Sequence, residues 1–271
     1  MIPAAFEYER AESVEHAIEL LGRGDAKLLA GGHSILPAMR LRLARPELLV
    51  DIWRVDGLRG IREDGDRIAI GALTRHHDVH HDPLLAEACP ILAYAAGTIG
   101  DPQVRHRGTI GGSVAHGDPA SDTPTVLVAL GADVVARGPD GERVVPARQF
   151  FQGVFETALG AQELVTEIRV PRISGGWAYE KFNRRAQDWA TVGVAAVQLD
   201  GGVGVALTTM GPTPVHARGV EEALAGGADP AGAAERADEG ADPPSDTNAS
   251  SEFRRHLARV LTRRALEKTL T

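Results

Sequence analysis

Two glycine pairs carry the chemistry-bearing signal in this chain: Ala30-Gly31-Gly32-His33-Ser34 and Thr109-Ile110-Gly111-Gly112-Ser113. Lacking Cβ atoms, each pair can turn several backbone N–H groups toward one anionic oxygen, and two such loops brought together could hold a diphosphate from both sides. That suits a dinucleotide. The alternative is that each pair simply makes a turn. The first loop has the more suggestive flanks, since it follows an apolar run, precedes a helix-forming stretch, and adds the Ser34 hydroxyl and the His33 ring. Two standard phosphate motifs are absent. Gly22-Arg23-Gly24 follows a helical pattern and lacks the third glycine of a dinucleotide fingerprint, and no Gly-x-x-x-x-Gly-Lys-Ser/Thr occurs.

Other clusters weigh less. In Thr74-Arg75-His76-His77-Asp78-Val79-His80-His81-Asp82, the pairs His76/His80 and His77/His81 have the i, i+4 spacing of metal ligands. The segment is short, polar and closed by Pro83, so it reads as a solvated helix start, and no metal is expected. Arg105-His106-Arg107 could lend positive charge to the second loop or face solvent. Arg184-Arg185 reads as a partner-docking pair or an ordinary solvated strand end. Trp177, Tyr179 and Phe182 read as sheet packing. No spacing argues for a nucleophilic triad.

The elements that must position these loops follow from periodicity. Ser13 can cap a helix with Val14, Ala17, Ile18 and Leu21 on one face. Lys27 to Ala30, a helix from Pro37 through Leu43, and Leu48 to Ile52 form a small βαβ-like unit. From Gly57 a second unit is expected: a hairpin turning at Asp64-Gly65, a helix from Leu84 to Ala96, and a long glycine-rich stretch from Gly97 to Asp122. A helix from Pro124 to Leu130, a hairpin at Pro139-Asp140-Gly141 and a strand from Leu164 to Val170 complete it. After the linker Ser174-Gly175-Gly176, the runs Trp177 to Phe182, Val192 to Leu199 and Val203 to Met210 predict an antiparallel sheet. Gly226 to Ser251 reads as weakly structured, and Phe253, Leu257, Val260 and Leu261 as one face of a final helix.

Composition narrows the function classes. With 271 residues and 43% hydrophobic content, the chain can bury a core of one large or two modest domains. Its net charge of −8 and pI near 5.7 speak against nucleic acid as a partner. No run approaches the roughly 20 apolar residues of a membrane span, and no signal-like segment opens the chain, so a cytoplasmic location is expected. The single cysteine, Cys89, reads as a small buried hydrophobe. An iron–sulfur cluster takes about four thiolates, so any such cluster would belong to another chain.

The pairing of the two glycine loops resembles that in the FAD subunits of carbon monoxide dehydrogenase and related molybdenum hydroxylases, and in the flavin domain of xanthine dehydrogenase. The likeness continues through Gly117-Asp118-Pro119-Ala120-Ser121-Asp122, through Tyr179-Glu180-Lys181-Phe182-Asn183-Arg184-Arg185, and through Asp242-Pro243-Pro244-Ser245-Asp246 ahead of Phe253-Arg254-Arg255-His256-Leu257. The resemblance implies an α+β fold. Residues 1–173 would form a two-subdomain FAD-binding region of the PCMH (vanillyl-alcohol-oxidase-like) type, divided at about 56/57. Residues 177–271 would form an antiparallel sheet with packing helices, with FAD held non-covalently between the two parts.

Matched residue by residue, Ala30, Gly31, Gly32, His33, Ser34 and Ile35 with Gly111, Gly112 and Ser113 would hold the pyrophosphate, Thr109 and Ile110 completing the second loop. Asp122 would lie beside the flavin, Lys181 near its ring, Trp189 against the ring, and Val165 in aliphatic contact with the cofactor. Many relatives carry Asn where this chain has Ser113, and Asn or Ala where it has His116-Gly117. The resemblance further implies a heterotrimer in which a molybdenum-cofactor large subunit oxidises substrate, a [2Fe-2S] small subunit relays electrons, and this chain passes them to an external acceptor, with no catalytic side chain of its own. The rival readings are a regulatory or assembly module of the same fold without redox turnover, and a self-contained flavin oxidase.

Overall fold

The computed structural model describes residues 2–271. Its first sheet is parallel, with Leu48–Asp51 between Glu7–Arg10 and Ala26–Leu29. Strand Ala26–Leu29, helix Ile35–Arg40 and strand Leu48–Asp51 form the expected βαβ unit, but the helix starts at Ile35 instead of Pro37. Proline is tolerated in a first turn, where the missing N–H would have no helical partner. Strand Glu7–Arg10 has no counterpart in the expected element order. It is a mostly exposed edge strand whose Glu-Tyr-Glu-Arg sequence carries no apolar alternation. Ser13 caps helix Val14–Leu21 by accepting from the His16 N–H at 3.1 Å, and Ala17, Ile18, Leu20 and Leu21 pack onto the sheet.

The second sheet is antiparallel, in the order Ile61–Asp64, Arg67–Gly71, Leu164–Pro171, Asp133–Gly138, Gly141–Pro146. Both expected hairpins are present, each with a two-residue turn. The expected helix from Leu84 to Ala96 is in fact two, Pro83–Ala88 and Pro90–Gly97, broken at the fully buried Cys89. Pro90 lacks an N–H and steers the preceding residue out of helical geometry, so Cys89 takes φ −149°, ψ 61°. The glycine-rich stretch also holds more order than expected. It contains helices Pro102–Arg105 and Ile110–His116, the second capped by Thr109 Oγ1, which accepts from the Gly112 N–H at 3.2 Å.

Helix Asp122–Leu130 is buried at every residue and runs through the middle of the molecule. On one side lies the third sheet, antiparallel in the order Trp177–Phe182, Val192–Leu199, Gly202–Thr208, Val215–His216. Side chains alternate across a strand. Tyr179, Ala195, Val197 and Ala206 therefore meet the core around this helix, while Ala178, Val194, Ala196, Val205 and Leu207 meet helix Ser251–Thr269 on the other face. Burial on both faces is why these strands read as continuous apolar runs. The inward face of the final helix includes Leu257 and Leu261 as expected but not Phe253 or Val260. Leu257, Ala258, Leu261, Ala265, Leu266 and Arg254 are buried, whereas Phe253 is exposed and Val260 half-buried. Alanines and an arginine, invisible to a search for large apolar residues, form much of that face. The stretch from Gly226 to Ser251 is irregular except for helix Pro230–Ala234, capped by Asp229.

Helix and sheet touch most closely at Gly204, where a Cβ would stand 2.1 Å from the Ala129 carbonyl oxygen. Gly204→Ala should therefore destabilise the protein by about 1–3 kcal/mol through overpacking and lower Tm by several degrees in thermal denaturation. Gly201→Ala, with nothing within 4 Å, should leave Tm unchanged.

Candidate functional site: one cleft beneath two glycine motifs

A single large cleft of about 1130 Å³ gathers the residues singled out above. Every anticipated cofactor contact lines it except Ile110, which is fully buried in the core. The first glycine motif packs directly on the two residues that lead into the second, nearly eighty positions further along. A Cβ on Gly31 would lie 2.1 Å from the Arg107 carbonyl oxygen and 2.9 Å from Gly108 Cα. Gly31 is thus required for the backbones to meet.

The motifs do different jobs. In the first, Gly31, Gly32, His33 and Ser34 donate their backbone N–H groups to no protein acceptor among the described residues. Gly32 has φ +82°, a left-handed conformation that suits glycine. Consecutive unpaired N–H groups in such a bend form an anion-binding nest. In the second motif the donors are already used. Ile110 N–H reaches Thr74 O at 3.0 Å, Gly111 N–H reaches Ala72 O at 2.9 Å, Gly112 N–H reaches Thr109 Oγ1 and Ser113 N–H reaches Thr109 O. A Cβ on Gly111 would fall 2.4 Å from Ala72 Cβ, so this glycine serves backbone packing. The expectation that both loops present open backbone donors holds for the first loop alone.

Across the cleft stands a buried cluster of charge. Lys181 Nζ donates to Asp122 Oδ2 at 2.9 Å and to Thr98 O at 3.2 Å, and the Tyr179 hydroxyl donates to Asp122 Oδ1. Tyr179 and Lys181 are two apart on strand Trp177–Phe182 and so share a face directed at the start of helix Asp122–Leu130. Burial raises the Asp122 carboxyl above its ordinary range, opposed by the Lys181 charge and the two hydrogen bonds. Burial and the adjoining carboxylate push the Tyr179 phenol well up, so it remains a donor. Expected separately, Asp122 and Lys181 form a pair that presents little net charge to the cleft. Tyr179, read from the sequence as sheet packing, completes it, and its i, i+2 relation to Lys181 is the signal that could have found it.

Trp189 is 57% exposed on a loop whose Gln187 and Asp188 also line the cleft, and Val165 and Ile35 supply aliphatic wall. Backbone strain collects here. Of the four non-glycine residues with positive φ among the described residues, Phe155 and Gln187 line the cleft, Arg42 follows the helix Ile35–Arg40, and Thr209 lines a smaller cavity that shares Asp188 and Trp189 with it. Such conformations cost about 1–3 kcal/mol each and persist where surrounding structure enforces them.

The basic and histidine clusters are placed differently from the glycines. Arg105 donates to Ile99 O and Gly100 O, His106 stacks on His77, Arg107 lies over Trp53, and none of the three lines the cleft. Helix His76–His81 is not simply a solvated start, because His76 and Val79 are buried and His80 Nδ1 lies 2.9 Å from Ala93 O. Among the described residues no three His, Cys, Asp or Glu side chains are grouped as metal ligands. His76 sits at the back of the cleft against Gly108, and its Nδ1 has no partner.

Burial, with Arg105 and His33 nearby, pushes His76 down to about 4 from 6.5. The folded state therefore keeps this ring neutral while the unfolded chain protonates it. Stability contributed by the neutral ring is complete above pH 6.5 and is lost as pH falls toward 4, by about 3 kcal/mol. Denaturant unfolding across that range should show this slope, flattened in His76→Gln.

Comparison with known proteins agrees with this geometry. Residues 4–173 match the family described as FAD binding domain in molybdopterin dehydrogenase, and residues 177–269 match the CO dehydrogenase flavoprotein C-terminal domain. The chain is 44% identical to the carbon monoxide dehydrogenase medium chain of Hydrogenophaga pseudoflava over 98% of its own length and 97% of that protein's. It is 41% identical to the alpha subunit of the 6-hydroxypseudooxynicotine dehydrogenase complex of Paenarthrobacter nicotinovorans, covering 100% of this chain and 96% of the other. A solved carbon monoxide dehydrogenase from H. pseudoflava, lacking the Mo-pyranopterin moiety of the molybdenum cofactor, superposes with TM-score 0.96 at 45% identity over 100% of this chain and 99% of that one. The chain therefore belongs to the FAD-binding medium-subunit family of the molybdenum hydroxylases and is an FAD-binding oxidoreductase subunit.

Proposed function

We propose that this chain is the electron-transfer subunit of a cytoplasmic molybdenum-containing hydroxylase, taking electrons from a [2Fe-2S] partner subunit and passing them to an external acceptor. A molybdenum-cofactor large subunit completes the heterotrimer and selects the substrate. The domain division at 173/177 and the cofactor contacts named above belong to the same reading. The observation that carries it is the nest of four unpaired N–H groups at Gly31–Ser34, opening into a cleft large enough for a dinucleotide.

FAD, when bound, supplies one- and two-electron redox chemistry. The chain's own residues bind and orient it. The N–H groups from Gly31 to Ser34 would receive the diphosphate, with Thr109, Gly112 and Ser113 lining the same space. The Asp122–Lys181 pair would sit beside the ring as a polar contact of low net charge, and Trp189 would shield it from water. No residue needs to act as a proton-transferring base. Intact glycines and unpaired donors support a working cofactor site over a module without redox turnover.

Replacing Gly111 by Val would be a poor test, because Ala72 blocks any side chain there. Ser34 makes no side-chain capping bond and is half-buried, so Ser34→Asp should fold normally. A carboxylate beside the diphosphate should weaken FAD binding at least about tenfold. Full flavin content in that variant, read by visible absorption, would remove the first loop from the assignment. Reconstituted with its two companion subunits, the wild-type chain should be bleached by the holoenzyme's substrate. Bleaching by a substrate without those subunits would instead favour a self-contained oxidase.

A further inference from the structure

Buried polar atoms without a partner are few in a folded protein, and each asks for an explanation. Among the described residues six side chains carry one: Arg67, His76, Thr123, His216, Arg254 and Thr262. Arg67 is ion-paired with Asp133, and His216 and Arg254 engage protein partners through their other nitrogens. Thr123 and Thr262 lie within helices, where a hydroxyl can turn to the carbonyl one turn back. His76 has no such outlet. It is also the only one of the six that lines the cleft.

Its placement ties it to the first glycine loop. His76 opens helix His76–His81 and is 4% exposed. Its backbone N–H donates to Gly108 O at 3.0 Å, and a Cβ on Gly108 would stand 2.9 Å from the His76 Cδ2. Gly31 rests on the same residue, since a Cβ on Gly31 would lie 2.9 Å from Gly108 Cα. One glycine thus touches both the imidazole and the start of the nest. The i, i+4 partner suggested by sequence goes elsewhere, with His80 Nδ1 at Ala93 O. An apolar side chain would fill the space of His76 without stranding a nitrogen, yet the chain places an imidazole there.

We infer that His76 is a further cofactor-binding residue, completing its hydrogen bonding with an oxygen of the ADP half of FAD beside the nest at Gly31–Ser34. The inference rests on the placement of the diphosphate proposed above. Burial, with Arg105 and His33 nearby, keeps the ring neutral, so it carries one N–H and one lone pair. Such a ring donates to a phosphate oxygen or accepts from a ribose hydroxyl. Either bond adds direction to the backbone nest without adding charge, and so fixes where along the cleft the cofactor's diphosphate half lies.

The test uses the full-length chain assembled with its two companion subunits, stripped of flavin and titrated with FAD or ADP. His76→Phe removes both ring nitrogens and keeps a planar ring, so the Tm of the flavin-free form should hold or rise. Its Kd for FAD, read by quenching of flavin fluorescence, should weaken at least about tenfold, and its Kd for ADP, read by competition, by the same factor. His76→Gln keeps a donor and an acceptor and should recover most of both affinities. The visible spectrum of bound FAD should be the same in both variants as in the wild type. If His76→Phe folds poorly, His76→Leu, nearer in volume, is read in its place. Wild-type FAD affinity in the apolar variant overturns the assignment, as does a loss of FAD affinity with ADP affinity intact. Uptake that Ser34→Asp blocks but His76→Phe leaves alone removes His76 and keeps the nest. If the wild type takes up no FAD, the cofactor-site reading fails and this inference with it.

Discussion

The buried contact among Asp122, Lys181 and Tyr179 is the constraint on which the arrangement of the cleft depends. A carboxylate at the start of a wholly buried helix is tolerable only if its charge is met. Both partners come from a strand some sixty residues further along, so meeting that charge fixes the third sheet against the central helix. Once that contact is made, the strand's other residues have defined faces, Gly204 must lie against Ala129, and the loop carrying Gln187, Asp188 and Trp189 is brought over the cleft. The two walls of the cleft are thus joined by an interaction that lies within the cleft itself.

The glycine motifs show how one sequence pattern can serve two physical ends. At Gly31-Gly32 the second residue bends the chain so that donors remain free, while the first permits a backbone approach that no side chain would allow. At Gly111-Gly112 the donors are consumed by Thr74, Ala72 and Thr109. The second motif is consequently packed against Ala72 through Gly111, while Arg107 and Gly108, which lead into it, form the wall on which Gly31 rests. Hydrogen-bond bookkeeping, not composition, distinguishes an anion nest from a packing hinge.

Much of the fold was legible because its strands are either hairpins with clear turn residues or two-face-buried apolar runs. The two glycine loops at the cleft were legible from their glycines, whereas Asp122, Val165, Lys181 and Trp189, which also line it, were read from the family resemblance. The rest depended on tertiary context. Glu7–Arg10 is a strand only because Leu48–Asp51 pairs with it. Helix Ile110–His116 begins with two glycines of poor helix propensity and is set by the Thr109 cap and the contacts of Gly111. Ile110, adjacent to the second glycine pair, turns into the core because a helix directs neighbouring side chains about 100° apart. Tyr179 carried an apolar signature in sequence and only the folded chain reveals what its hydroxyl meets. The inner face of the last helix, made of alanines and one arginine, lacks the bulk by which amphipathic faces are read.

That arginine reaches further than its distance from the cofactor cleft suggests. Arg254 is almost entirely buried, and its guanidinium joins the Thr191 carbonyl to the Asp246 carboxylate. Thr191 follows Trp189 and Ala190 directly, so the base of the Trp189 loop is moored to the final helix. Substitutions in that helix can accordingly retune how tightly the Trp189 loop is held over the cleft without altering any residue that lines it.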